Sequence, residues 1–166
     1  MESVAFGLTD GVICFLGIII GVATATLDSR LVLIASIIGG VADALGNSIG
    51  FFVSQSTERA VQMKEAEAGE NHHIHSKKEV KLSGVFSFLA TLVALFSLLF
   101  PFFFFSVWQA TIVSFVIGTA LAFLLGMYIG KMGNTSMFKS GLKYSCITIV
   151  GAIVSYALGG LLHIII

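Results

Sequence analysis

The chain has 166 residues and no net formal charge, and its residues are 57% hydrophobic but only 11% charged. Soluble domains carry roughly a quarter of their residues as charged side chains, so this balance excludes a water-soluble globule and points to a helical membrane protein. Neutrality gives no reason to expect a nucleic-acid partner, and the sequence contains no nucleotide-binding glycine loop, nucleophile elbow or metalloprotease helix, so no enzymatic activity is expected.

The first apolar run, Val4–Thr26, exceeds the roughly 20 residues needed to cross a hydrocarbon core as helix. It lacks a basic leader, since Met1–Ser3 offers only Glu2, so it is expected to be a retained span and not a cleaved signal. Within it Asp10, Cys14, Gly17 and Gly21 fall at spacings of four, three and four residues, which places them on one helical face. "LDSR" then predicts a tight turn and an antiparallel hairpin with the second span, Leu31–Gln55. Asp43 lies near the middle of that span, and Asp43, Asn47, Gly50 and Ser54 repeat the same spacing, with Gly46 beside them.

Segment 56–81 follows, and it is the one substantial polar stretch. Its first part, "STERAVQMKEAEAG", is compatible with helix running out of the second span, and "ENHHIHSKKE" reads as a loop. Glu58, Glu65, Glu67, Glu70, His72, His73 and His75 mix carboxylate with imidazole, a donor set suited to first-row divalent metals, although "HHIH" lacks any specific zinc spacing. These residues form a second candidate metal set; the bland alternative is a solvated juxtamembrane segment.

The third span, Leu82–Phe100, ends at Pro101 and a run of aromatics that fits an interfacial belt. Spans at Phe105–Met127 and Gly141–Ile166 complete a single five-helix transmembrane domain covering 1–166, with His163 expected near an interface. Eight of the nine basic residues fall on the side of the 2–3 and 4–5 loops, so the positive-inside rule predicts a cytoplasmic N-terminus and an external C-terminus. Cys14 and Cys146 stand apart in apolar runs and make neither a disulfide framework nor a zinc pair. Gly7/Gly11, Gly17/Gly21, Gly46/Gly50 and Gly126/Gly130 have the small-xxx-small spacing of close helix contacts, within the bundle or between subunits.

Asp10 and Asp43 are the acidic residues inside the spans away from their ends. A central aspartate costs roughly 2.5–3.5 kcal/mol on insertion scales, so each must recover that cost from a partner, a proton, an ion or water. If the two stripes face each other, two carboxylates, the Asn47 amide and the Cys14 thiol share one gap. A divalent cation or a shared proton is then the natural occupant, and exchange of one for the other is a transport cycle. The alternatives are a non-transporting scaffold or regulatory subunit whose aspartates are structural, and a passive cation channel.

"GLTDGV" (Gly7–Val12) and "GGVADALGNSIGFFVSQSTE" (Gly39–Glu58) together resemble the vacuolar iron transporter family. The resemblance implies an all-α homodimer in the lipid bilayer, with no tightly bound cofactor, that exports Fe2+ or Mn2+ from the cytoplasm in exchange for protons. It implies a membrane site between subunits, with Asp10 at the family's first-span acidic position and Asp43 close to its second-span one. Asn47 and Ser48 are the expected supporting groups, and the Glu/His segment an entry patch. The expected location is the cell inner membrane of a prokaryote, or a vacuolar or other organelle membrane of a eukaryote. Two departures stand out: Ile49 and Val53 occupy positions where the family carries methionine and glutamate, and segment 56–81 is shorter than its three-helix cytoplasmic domain. Loss of a thioether and a carboxylate puts manganese beside iron as a candidate cargo.

Overall fold

Only Leu27 and Asp28 separate the first two helices, α1 (Glu2–Thr26) and α2 (Ser29–Glu67), in a computed structural model that describes residues 2–68 and 74–165. Leu27 takes a left-handed backbone, φ 53°, that ends α1, and the Asp28 carboxylate accepts the Arg30 N–H at 2.7 Å to cap α2. The predicted hairpin is therefore built by one strained residue and one capping carboxylate.

At 39 residues, α2 is about 58 Å long, nearly twice a hydrocarbon core, so its polar second half must continue beyond the bilayer. This is the extension expected of the second span. The chain returns by hydrogen bonds onto that extension: Arg59 Nε donates to the His75 carbonyl at 2.8 Å, and the His75 N–H donates to Gln62 at 2.9 Å. Helix α3 (Lys77–Leu99) then starts earlier than expected. Lys77, Lys78 and Glu79, read from sequence as loop, are its first turn, because Ser76 and Glu79 close a reciprocal capping box. Glu70, His72 and His73 lie outside the described residues.

A 3-10 turn over Phe100–Phe103 joins α3 to α4 (Val107–Met132), and α5 (Met137–Ile165) completes the bundle. Phe103, Phe104, Phe105 and Trp108 are exposed, as an aromatic belt requires, whereas Phe102 turns inward. Among the described residues, five helices are long and apolar enough to cross a membrane.

The bundle packs through two kinds of surface. Helix α1 contributes large side chains, with Val12, Phe15, Leu16 and Ile19 all fully buried. The neighbouring helices carry mostly small ones at their seams: Ser36, Gly40 and Ala44 on α2, where Gly40 meets Leu95 of α3, and Ser114, Gly118, Ala122, Gly126 and Gly130 on α4, where Gly118 meets Leu16 of α1 and Gly126 and Gly130 meet α5, repeating every four residues. Where there is no water to exclude, such seams let backbones approach and let dispersion and interhelical hydrogen bonds do the holding. The Ser114 hydroxyl donates to the Leu98 carbonyl at 2.7 Å, and the His163 ring donates from Nδ1 to the Ala25 carbonyl at 2.7 Å, tying α5 to the end of α1. Large apolar residues such as Ile34, Ile38, Val93 and Val116 point outward, where lipid would meet them.

Of the glycines expected at helix contacts, Gly7 and Gly11 pack on α3, Gly17 and Gly21 on α5, and Gly126 and Gly130 of α4 also on α5. Gly46 and Gly50 pack on no other helix of the chain: among the described residues nothing lies within 4 Å of where their side chains would be, because their face of α2 turns away from the bundle.

A Cβ at Gly7 would strike the Ser87 backbone carbonyl, which cannot swing aside, whereas one at Gly151 meets open space. Gly7→Ala is accordingly expected to lower unfolding stability by about 1–3 kcal/mol, with Gly151→Ala near wild type, as read by thermal unfolding in detergent. Equal behaviour of the two variants would contradict the close α1–α3 contact.

Candidate functional site

Helix α1 delivers Asp10 and helix α2 delivers Asp43 and Asn47, four residues and one turn apart. The antiparallel hairpin brings the three together. Asn47 Nδ2 donates to Asp10 Oδ2 at 2.9 Å and reaches Asp43 Oδ2 at 3.3 Å, so one amide lies between two carboxylates from different helices. Of the two stripes read from the sequence, Asp10 and Cys14 face Asp43 and Asn47, whereas Gly17 and Gly21 turn to α5 and Gly50 away from the bundle. Cys14, one turn beyond Asp10, places its thiol within hydrogen-bonding reach of Asp43.

A third helix enters this layer. Thr91 of α3 lies 3.3 Å from Asn47 Nδ2 and is fully buried, with its hydroxyl directed at the carbonyls of Ser87 (3.0 Å) and Gly7 (3.2 Å). Gly7 is what permits this approach, since any side chain there would occupy the space of Thr91 and Ser87. Sequence reading missed Thr91. A signal was present: Ser87, Thr91 and Ala94 form a small or hydroxylated stripe at helical spacing inside an otherwise bulky span.

Ser48 does not join the group. It packs on the other side of α2, where its backbone carbonyl and hydroxyl face Gly84 of α3. Residue 48 is rotated about 100° from Asn47 on the helix, enough to send adjacent side chains to different neighbours.

Asp10, Asp43 and Asn47 are each only partly buried, so one side of the layer is open in a single copy of the chain. Among the described residues, no three His, Cys, Asp or Glu side chains converge to enclose a metal ion. The amide has two protons and no charge. It orients the carboxylates without neutralising them, and a cation or protons must supply the balance in a low-dielectric setting.

Beneath the carboxylate layer Phe6 and Phe51 meet with ring centroids 5.6 Å apart. Each is four residues from a site residue, Phe6 from Asp10 and Phe51 from Asn47, about 6 Å along the axis. On their far side a cavity of about 510 Å³ opens among the ends of α1 to α4, and Phe51 forms part of its wall. Glu2, Glu58, His75 and Glu79 line it. His75 sits between two carboxylates, with Nε2 3.6 Å from Glu58 and Nδ1 3.8 Å from Glu79. Of the predicted Glu/His set, Glu58 and His75 are thus brought together, while Glu65 and Glu67 lie further along α2 and do not reach this cavity. Glu2 and Glu79 were not among the predicted residues. Each sits close to a helix start, where sequence offers a capping role as the simpler reading.

Comparison with known proteins adds two findings. A family model described as the VIT family matches residues 1–83, half of the chain, and so contains Asp10, Asp43 and Asn47. An uncharacterized protein of the archaeon Methanocaldococcus jannaschii is 29% identical over 147 residues, which span 82% of this chain and 76% of that one.

If the Asn47 amide couples to Asp10 as the 2.9 Å contact indicates, a double-mutant cycle of Asn47→Ala and Asp10→Ala should give an interaction energy of about 1–3 kcal/mol in unfolding stability. Additivity within a few tenths would show that the contact contributes nothing.

Proposed function

The chain belongs to the VIT family of membrane metal-ion transporters, and we propose that it carries a divalent cation, Fe2+ or Mn2+, out of the cytoplasm in exchange for protons. The observation that carries this reading is the hydrogen-bonded layer in which Asn47 joins Asp10 and Asp43 deep within two spans. Two carboxylates there can hold either a divalent cation or protons, and alternation between those occupants couples the two flows. Carboxylate oxygens suit both proposed cargoes, and the Cys14 thiol adds a softer donor.

In this reading the acidic cavity is the entry. The positive-inside rule puts the loop ends of α2 and α3, with Arg59, Lys77, Lys78 and Lys81, in the cytoplasm. Glu2, Glu58 and Glu79 around the cavity would concentrate cations at its mouth, and the apolar Phe6–Phe51 pair would separate that mouth from the carboxylates. Beyond the carboxylates, Val12, Phe15, Leu16 and Ile19 fill the interior, which fits a resting form open toward the cytoplasm.

The unit of function is proposed to be a homodimer. Half-exposed carboxylates facing lipid would be costly, and Gly46 and Gly50 lie beside them on a face of α2 that meets nothing in its own chain. Ile49 and Val53 share that exposed face, so the positions where the family carries methionine and glutamate would lie at the subunit seam as apolar contacts. This arrangement supports an oxygen-rich site and keeps manganese beside iron.

Flux into proteoliposomes, run for Fe2+, Mn2+, Zn2+ and Co2+ with and without a pH gradient, tests the transport reading. Wild type should show gradient-dependent uptake of Fe2+ or Mn2+, and Asp10→Ala and Asp43→Ala should each fall to background at matched protein levels. Gradient-independent flux would indicate a channel. No flux for any metal would leave the satisfied Asn47 hydrogen bonds as a scaffold feature.

The dimer has its own test. Gly46→Leu combined with Gly50→Leu should convert a wild-type dimer into a monomer by light scattering in detergent, without loss of helicity. A monomeric wild type would overturn it.

A further inference from the structure

The α2–α3 pair separates its charges to opposite sides. The acids Glu58 and Glu79 line the large cavity on one side of the seam, and Glu79 is further occupied in accepting the Ser76 N–H at 2.7 Å. On the other side Phe52, Ser56 and Arg59 of α2, at helical spacing, face Lys77, Val80 and Lys81 of α3 around a niche of about 190 Å³. Among the described residues, three cations border this niche and no carboxylate lines it. Arg59 is anchored through Nε to the neutral His75 carbonyl, which fixes the guanidinium at the rim without cancelling its charge. Like charges held this close without a counter-charge repel one another, so the niche is built for an anion.

The surroundings identify what kind. The niche lies where the apolar spans give way to polar helix ends, with Phe52 and the buried Val80 in its wall. From it two exposed apolar stripes run into the membrane-spanning region: Phe52 and Leu45 on α2, and Val85, Leu89 and Val93 on α3, starting one turn beyond Lys81. A free phosphate would use the cations and leave the stripes idle. A phospholipid uses both. A zwitterionic headgroup would bring its own ammonium among Arg59, Lys77 and Lys81, whereas an anionic headgroup brings none.

We propose that this niche binds the phosphate of an anionic phospholipid, with its acyl chains lying along the exposed stripes of α2 and α3. The lipid bridges the two helices at the level where the chain leaves the membrane, on the side away from the carboxylate layer, so the inference stands independently of the transported ion. By clamping α2 to α3 it steadies the opposite wall of the acidic cavity.

The test is native mass spectrometry of the full-length protein titrated with phosphatidylglycerol or phosphatidylcholine in neutral detergent. Basic groups at a membrane surface each contribute a factor of about five, so Lys77→Gln with Lys81→Gln should weaken phosphatidylglycerol binding about thirty-fold. Phosphatidylcholine binding should stay as weak as before, and the charge-keeping pair Lys77→Arg with Lys81→Arg should bind as wild type. Lys131→Gln with Lys139→Gln, which alters basic residues elsewhere in the chain, should also bind as wild type. Both lysines of the niche are exposed, so these variants are expected to fold, and thermal unfolding verifies it. Undiminished binding in the glutamine pair, equal loss in the Lys131/Lys139 control, or displacement of the lipid by millimolar inorganic phosphate or glycerol phosphate would each overturn the proposal.

Discussion

In hydrocarbon, helices gain nothing by hiding apolar surface from one another, and this bundle rests on how closely its backbones approach. The clearest case is α1 against α3. Gly7 leaves room for the Ser87 carbonyl and the Thr91 hydroxyl, and that contact brings Thr91 to within reach of Asn47. The same rule governs α4, whose buried face from Ser114 to Gly130 holds nothing larger than alanine or serine at its four-residue repeats. Bulky buried side chains are concentrated on α1 and the second half of α3, with Phe15, Leu16 and Ile19 on one and Leu95, Leu98 and Leu99 on the other, so the faces that meet them can be small without leaving voids.

The polar layer follows from that packing. Asn47 could not span two carboxylates unless α1 and α2 ran side by side, and the two-residue connection through Leu27 and Asp28 enforces that arrangement. A neutral amide leaves the charge of Asp10 and Asp43 unbalanced and one side of the layer open. Those two facts favour a site that takes an ion over one that merely braces helices. The scaffold alternative keeps the hydrogen bonds but gives no reason for a mid-membrane layer left half uncovered, with an acidic cavity one aromatic pair away.

Charge is sorted with equal economy at the polar ends of α2 and α3. Residues 58 and 59 are neighbours in sequence, yet Glu58 lines the acidic cavity and Arg59 the basic niche, because one residue step turns a helix by about 100°. One face gathers carboxylates and the other gathers cations. The start of α3 is held to α2 by the His75–Gln62 hydrogen bond and closed by the Ser76–Glu79 box.

The sequence by itself determined the five spans, the long second helix, the two matched acidic stripes and the resemblance to a metal-transporter family, because hydropathy, helical period and the cost of a buried charge are properties of local sequence. It could not determine which small residues pair with which. Gly7 and Gly46 look alike in sequence, but one meets α3 and the other meets nothing among the described residues. Ser48 beside Asn47 looked like a site residue until the helix turned it toward Gly84. Thr91 joined the picture through Asn47 and Gly7, far away in sequence, and Glu79 through the cavity it shares with Glu2 and Glu58. A side chain's neighbours depend on the rotation of each helix about its axis and on the partner it meets, and tertiary packing alone fixes both.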